Sequence, residues 1–233
     1  MWKELLSILK GGSPQISELS SQFKEMLAIA EKMVLEASKL YWDNEPAPER
    51  VQALREHDVE VNKLERAIRK KAATHLTVSA RHDVPYALLM MSLVKDVERL
   101  GDYAKNLSEA SQIVNTPLPD DDLTGELRDI RDSVENFAKE AANVLDDSDV
   151  QRASKLTSEG RTVAKRCDAL LSKLAASDYS PGNVVKLTLG TRYYKRIDAH
   201  LLNLISSLIM PLHKLDYFDE TFLDGQEPET KQS

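Results

Sequence analysis

The chain has 233 residues, enough to bury a substantial core as one large domain or two small ones. It is 42% apolar and 30% charged with only 8 glycines and 4 phenylalanines, a profile that favours helices over strands. A formal net charge of −7 argues against nucleic acid as a partner, since phosphate contacts need a basic surface. The single cysteine, Cys167, excludes an internal disulfide framework and fits a reducing compartment. Glu4 precedes any apolar run, unlike a signal peptide, and the stretch from His200 to Leu212 is too short to span a bilayer. The expectation is a cytoplasmic protein that meets a membrane only through a partner.

Apolar spacing predicts six helices. The first covers Pro14 to Trp42, where Ile16, Leu19, Phe23, Met26, Ala30, Met33, Ala37 and Leu40 alternate three and four apart behind a Ser13-Pro14 start. The second carries Val51, Leu54, Val61, Leu64, Ile68 and Ala72 and runs to about Ala80. Asp83 is expected to cap a third, whose seam is Met90, Leu93, Val97, Leu100, Ala104, Leu107, Ser111 and Val114. Thr116 to Asp122 is a proline-rich joint, with Thr124 as the expected cap of a fourth helix bearing Leu127, Ile130, Val134, Phe137, Ala141 and Val144. Ser148 and Gln151 read as a capping box for a fifth helix reaching about Ala176. Ser180-Pro181 opens the sixth, expected to end near Lys214.

Long helices with such seams and short polar loops pack as antiparallel bundles, so the fold class is all-α, with six long helices in tandem three-helix bundles. The expected division is residues 1–115 for the first bundle, 116–123 for a linker, 124–214 for the second bundle and 215–233 for an acidic tail without structure. The halves also repeat. Glu98–Leu107 and Lys195–Leu204 lie 97 positions apart and share an arginine, an aliphatic residue, an asparagine and a final leucine. That is the pattern of a duplicated unit.

Three acidic residues of the first half sit where a helix gains nothing from them. Asp58 occupies a seam position of the second helix, and a buried carboxylate needs a basic group, a hydrogen-bond donor or a metal. Glu98 and Asp102 are four apart on one stripe of the third helix, where like charges cost roughly 0.2–0.5 kcal/mol, and Gly101 between them costs about 1 kcal/mol relative to alanine. Two readings stay open. Carboxylates on facing helices can bridge iron, zinc, magnesium or calcium. Alternatively, Lys95 stands three residues before Glu98, and Arg99 and Lys105 three from Asp102, so the stripe can be an ordinary ion-pair network.

The run Glu98-Arg-Leu-Gly-Asp102-Tyr-Ala-Lys-Asn106-Leu resembles the signature of the PhoU family. Asp58-Val-Glu-Val-Asn62-Lys-Leu64-Glu65 is similar to that family's second-helix motif. The resemblance spans the chain from the first helix to about Leu212. It implies two three-helix bundles, and a non-enzymatic regulator of phosphate uptake and phosphate-starvation signalling that contacts a phosphate transporter subunit or a sensor histidine kinase. It also implies that Glu98 and Asp102, with Asp58, are metal ligands for iron or zinc, held as a multinuclear cluster in some members. The second half departs from the pattern: Lys195 and Ala199 replace the expected carboxylates, Asp198 takes the glycine position, and Ala164 stands where the second-helix aspartate is expected. At most one metal site per chain follows, in the first half.

The remaining features favour plain structural roles. His200 and His213 read as surface or capping residues, and Cys167 as a small core residue. Arg66, Arg69, Lys70 and Lys71 read as a solvated basic face. Trp2–Lys10 is an amphipathic segment too short to be stable alone, and packing on helices suits it better than a membrane surface. A homo-oligomer is compatible with the sequence. Two alternatives to the regulator remain: an accessory protein of a sodium-coupled or low-affinity phosphate permease, or a carboxylate-bridged metalloprotein unrelated to phosphate. The second would ordinarily use Glu-x-x-His pairs, which the chain lacks.

Overall fold

The computed structural model describes residues 14–43, 47–78, 83–113, 117–212 and 215. Among them the chain forms six α-helices and no strand: α1 Pro14–Trp42, α2 Pro48–Val78, α3 Val84–Ala110, α4 Asp122–Asp147, α5 Val150–Ala175 and α6 Pro181–Ser206. The apolar seams anticipated from spacing are the buried faces. Ile16, Leu19, Met26, Ala30, Ala37 and Leu40 of α1 are completely buried, as are Val97, Ala104 and Leu107 of α3. Helices α1, α2 and α3 pack on one another, and so do α4, α5 and α6. Helix α3 also lies along α6, and α1 touches α4, so the buried residues of all six helices form one continuous cluster.

Helix ends differ from expectation in instructive ways. Thr124 does not cap α4. Asp121 does, its carboxylate accepting from the backbone N–H groups of Leu123 and Thr124 at 3.1 Å each, and Thr124 is buried one turn inside. Ser148 and Gln151 form no capping box, because Asp149 caps α5 by accepting from the N–H groups of Gln151 and Arg152. Ser148 instead ends α4 with φ of 54°, the left-handed residue that closes a helix C-terminus. In both places an aspartate within three residues of the expected hydroxyl takes the cap, as its charge adds to the helix dipole. Asp83 does precede α3, but its side chain makes no cap bond. It is buried, 2.8 Å from His75 Nε2 at the end of α2. Ser180 caps α6 as expected.

Helix α6 stops at Ser206 rather than near Lys214. Ser206 and Ser207 hydroxyls donate to carbonyls three residues back, and Leu208, Ile209 and Met210 follow in hydrogen-bonded turns. Cys167 is completely buried, as expected, and burial pushes its thiol up to about 12. The basic face of α2 is laced into ion pairs, Arg69 with Glu65 and Lys71 with Glu18. The Trp2–Lys10 segment, Ser13, Val114, Thr116, His213 and Lys214 lie outside the described residues, as does the tail apart from Leu215.

Candidate functional site

The acidic stripe lies where α2 and α3 face each other. Asp58 of α2 is buried at the seam, and the partner that permits this is a cation of the protein's own: Lys105 of α3 donates from Nζ to Asp58 Oδ2 at 3.0 Å. The same ammonium donates to Asp102 Oδ1 at 3.3 Å. Burial pulls the Lys105 pKa down, but the hydrogen bonds and charges of Asp58 and Asp102 outweigh it, so the lysine is held above its ordinary value. Arg99 completes the arrangement by donating to Asp102 Oδ2 at 2.8 Å. Glu98 is separate, taken up by Lys95 at 2.7 Å with the Arg99 guanidinium 3.6 Å away.

Sequence reasoning thus selected three carboxylates, of which the structure joins two. Asp58 and Asp102 converge on Lys105, while Glu98 is engaged one turn away. No group of three or more histidine, cysteine, aspartate or glutamate side chains is placed to hold a metal among the described residues. As arranged, the three do not fit a multinuclear cluster: the position between Asp58 and Asp102 that would suit a bridging cation belongs to the Lys105 ammonium. Nor is Gly101 forced by crowding. A Cβ there would meet Met33 and Val61 at 3.5–3.7 Å, ordinary contact distances.

The stripe borders a polar joint between α3 and α6 that the sequence did not disclose. His200 is largely buried rather than a surface or capping residue; its Nδ1 lies 2.8 Å from Asp96 Oδ1, which also accepts from Asn203 Nδ2 at 2.8 Å. The His200 ring stacks on Tyr103, the neighbour of Asp102, with centroids 5.5 Å apart, and Arg196 donates to the Tyr103 hydroxyl at 3.1 Å. Arg196 and Asn203 are the polar residues among those shared by the two repeats, and both serve this joint. In the second half the position corresponding to Glu98 is Lys195, which donates to Asp168 of α5 at 2.5 Å. A lysine therefore stands in each half beside an aspartate of the preceding helix.

The fold and the placement of the motifs define a class: an all-helical bundle protein carrying an acid-bearing signature on its third helix. Residues 23–111 match the family model of the PhoU domain. Its structure is similar to PhoU from Pseudomonas aeruginosa, with a TM-score of 0.75 at 21% identity over 91% of this chain and 98% of that one. It is also similar to the phosphate transport system regulatory protein PhoU from Streptococcus pneumoniae, with a TM-score of 0.71 at 15% identity over 83% of this chain and 93% of that one. No curated protein sequence matches it. No helix among the described residues is long and apolar enough to cross a membrane.

Proposed function

We propose that the chain is a non-enzymatic, cytoplasmic regulator of phosphate uptake and phosphate-starvation signalling, acting through contacts with a phosphate transporter subunit or a sensor histidine kinase. The observation that carries this reading is the PhoU domain at residues 23–111, with Glu98–Leu107 on α3 laid against Asp58 on α2. The structural relative from Streptococcus pneumoniae, a phosphate transport system regulatory protein, supplies the biological direction. The chemistry agrees with a regulator. Cys167 is buried with a raised pKa, and the stripe is a set of neutralised ion pairs, neither of which is an activated nucleophile.

The test uses the full chain as bait against the ATPase subunit of a phosphate transporter and against a phosphate-responsive sensor kinase. Retention of either, with altered phosphate uptake on deletion of the gene, supports the reading. Retention of neither, with uptake and phosphate-responsive transcription unchanged on deletion, overturns it. Capture of a sodium-coupled permease in place of these two would select the accessory-protein reading, which the loss of the acidic motif from the second half favours.

Metal binding at Asp58, Glu98 and Asp102 enters this proposal on one condition: iron or zinc reaches the carboxylates only by displacing Lys105. Lys105→Met keeps the aliphatic stem and removes the competing charge. Zinc retained after dialysis, measured by elemental analysis, is expected to rise in Lys105→Met above the level of the unsubstituted chain. The rise is expected to vanish when Asp58→Asn and Asp102→Asn are added. Equal zinc in all three proteins removes the site.

A further inference from the structure

The second half holds a cavity of about 320 Å³ between α4, α5 and α6, and its inner wall carries a carboxylate with no partner. That carboxylate is Asp198, only 1% exposed, both of whose oxygens lack a hydrogen bond. Phe137, Leu156 and Val163 give the cavity apolar walls, while Asn136, Glu159 and Thr162 are exposed at its mouth. A buried carboxylate left alone is costly, and the rest of the fold pairs its buried acids: Asp58 with Lys105, Asp96 with His200 and Asn203. The repeat shows how this wall differs from its counterpart in the first half. Asp198 stands where the first half has Gly101, and in the register that aligns Ala164 with Asp58, Gly160 stands where the first half has the buried Leu54. A leucine side chain is lost from one wall and a carboxylate gained on the other. Leu202 and Asp198 close in on Gly160: a Cβ there would lie 2.8 Å from Leu202 Cδ2 and 3.0 Å from Asp198 Oδ1, so these side-chain ends would have to shift.

We propose that this cavity is a binding site for a small organic cation, an alkylammonium group with its apolar stem against Phe137, Leu156 and Val163 and its charge directed to Asp198. The charges around it select the sign. Of the lining charges, Glu140 is held by Arg152 at 3.0 Å, Glu159 by Lys155 at 3.6 Å, and Arg166 by Glu126 at 2.7 Å and Asp129 at 3.5 Å, which leaves the Asp198 carboxylate to set the sign. The volume is at the lower end for a small-molecule site and fits about ten water-sized groups, the scale of an alkylamine or a lysine side chain. Burial pushes the Asp198 carboxyl up to about 8, against the pull of Lys195, so near neutrality it is mostly protonated. Of the groups facing it, Cys167 is held uncharged and Asp168 is taken by Lys195. An arriving ammonium therefore displaces one proton from Asp198, and binding strengthens as pH rises toward 8.

The proposal is independent of the phosphate reading and is tested on the full chain by calorimetric titration with n-butylammonium chloride and, separately, with a short peptide bearing a central lysine. Binding of one amine per chain is expected, weakened roughly tenfold or more by Asp198→Asn. Proton release, seen as a dependence on buffer ionisation enthalpy, is expected to disappear in that variant. Binding by the peptide alone keeps the site and assigns its cation to a partner protein; binding by butylammonium assigns it to a free amine. Should Asp198→Asn not fold, the unsubstituted chain still decides, because affinity must rise between about pH 6 and pH 8. No binding by either probe, binding unchanged in Asp198→Asn, or affinity independent of pH overturns the site.

Discussion

Replacing Gly190 by alanine is expected to cost about 2–4 kcal/mol of unfolding free energy, read as a lower urea midpoint at unchanged slope. Gly190 lies in the interior of α6, where alanine would ordinarily gain about 1 kcal/mol in helix propensity. Packing reverses the sign. A Cβ at Gly190 would lie 2.5 Å from Tyr41 Cζ and 3.0 Å from Cε2, inside any tolerable contact. Tyr41 has nowhere to go. It is completely buried, its hydroxyl donates to the Lys186 carbonyl at 2.9 Å, and its ring meets the edges of Trp42 and Tyr194. Tyr194 in turn is bonded to Ser38 at 2.7 Å and accepts from Trp42 Nε1 at 3.2 Å. Displacing the ring therefore disturbs a hydrogen-bonded aromatic cluster that ties α1 to α6. The same substitution at Gly101, where a Cβ finds only ordinary contacts, is the control and should keep the propensity gain. A double-mutant cycle with Tyr41→Leu, which removes the obstructing ring atoms, should recover much of the loss at Gly190. A Gly190→Ala protein as stable as the parent would mean that α1 and α6 are not this close.

What could be seen in the sequence followed from periodicity and local chemistry. The 3-4 seams of α1 and α3 located their buried faces residue by residue, because a helix repeats its environment every turn whatever it packs against. Asp58 at a seam position and the Glu98–Asp102 stripe were equally visible as charges in costly places. The neutraliser of Asp58 was harder to see. Lys105 is 47 residues away, and only the docking of α2 on α3 shows that its ammonium reaches Asp58 as well as Asp102. The same limit hid the Asp96–His200–Asn203 joint, which spans more than a hundred residues and carries no local signature. Gly190 looked like any interior glycine for the same reason: its meaning lies in Tyr41, on another helix. At the caps the difficulty was local. Asp121 and Asp149 lie within three residues of hydroxyl residues that can also cap, and the choice depends on where the chain turns into the helix.

Asp198→Asn is expected to stabilise the protein at alkaline pH and to leave it nearly unchanged in mild acid. The carboxyl rises from 3.8 to about 8 because burial disfavours its charged form, with Lys195 offsetting part of that cost. In the unfolded chain Asp198 ionises in the ordinary carboxylate range, so between that range and about 8 the native state binds the extra proton. Stability must then fall as pH rises through this window, since deprotonation favours the unfolded chain. At full ionisation the rise corresponds to roughly 6 kcal/mol as an upper bound, which structural relaxation and water entry reduce to about 2–4 kcal/mol. An asparagine keeps the shape without the charge, so the difference between the two proteins should be small near pH 5 and largest near pH 9. Chemical denaturation across that range measures it directly. A difference that stays constant with pH, or that favours the aspartate at high pH, would mean that Asp198 has a charged partner or free access to water. The buried, solitary carboxylate on which the cation site depends would then not exist. Adding an alkylammonium at high pH should have the opposite effect to ionisation alone, restoring to the aspartate protein the stability that its unpaired charge removes.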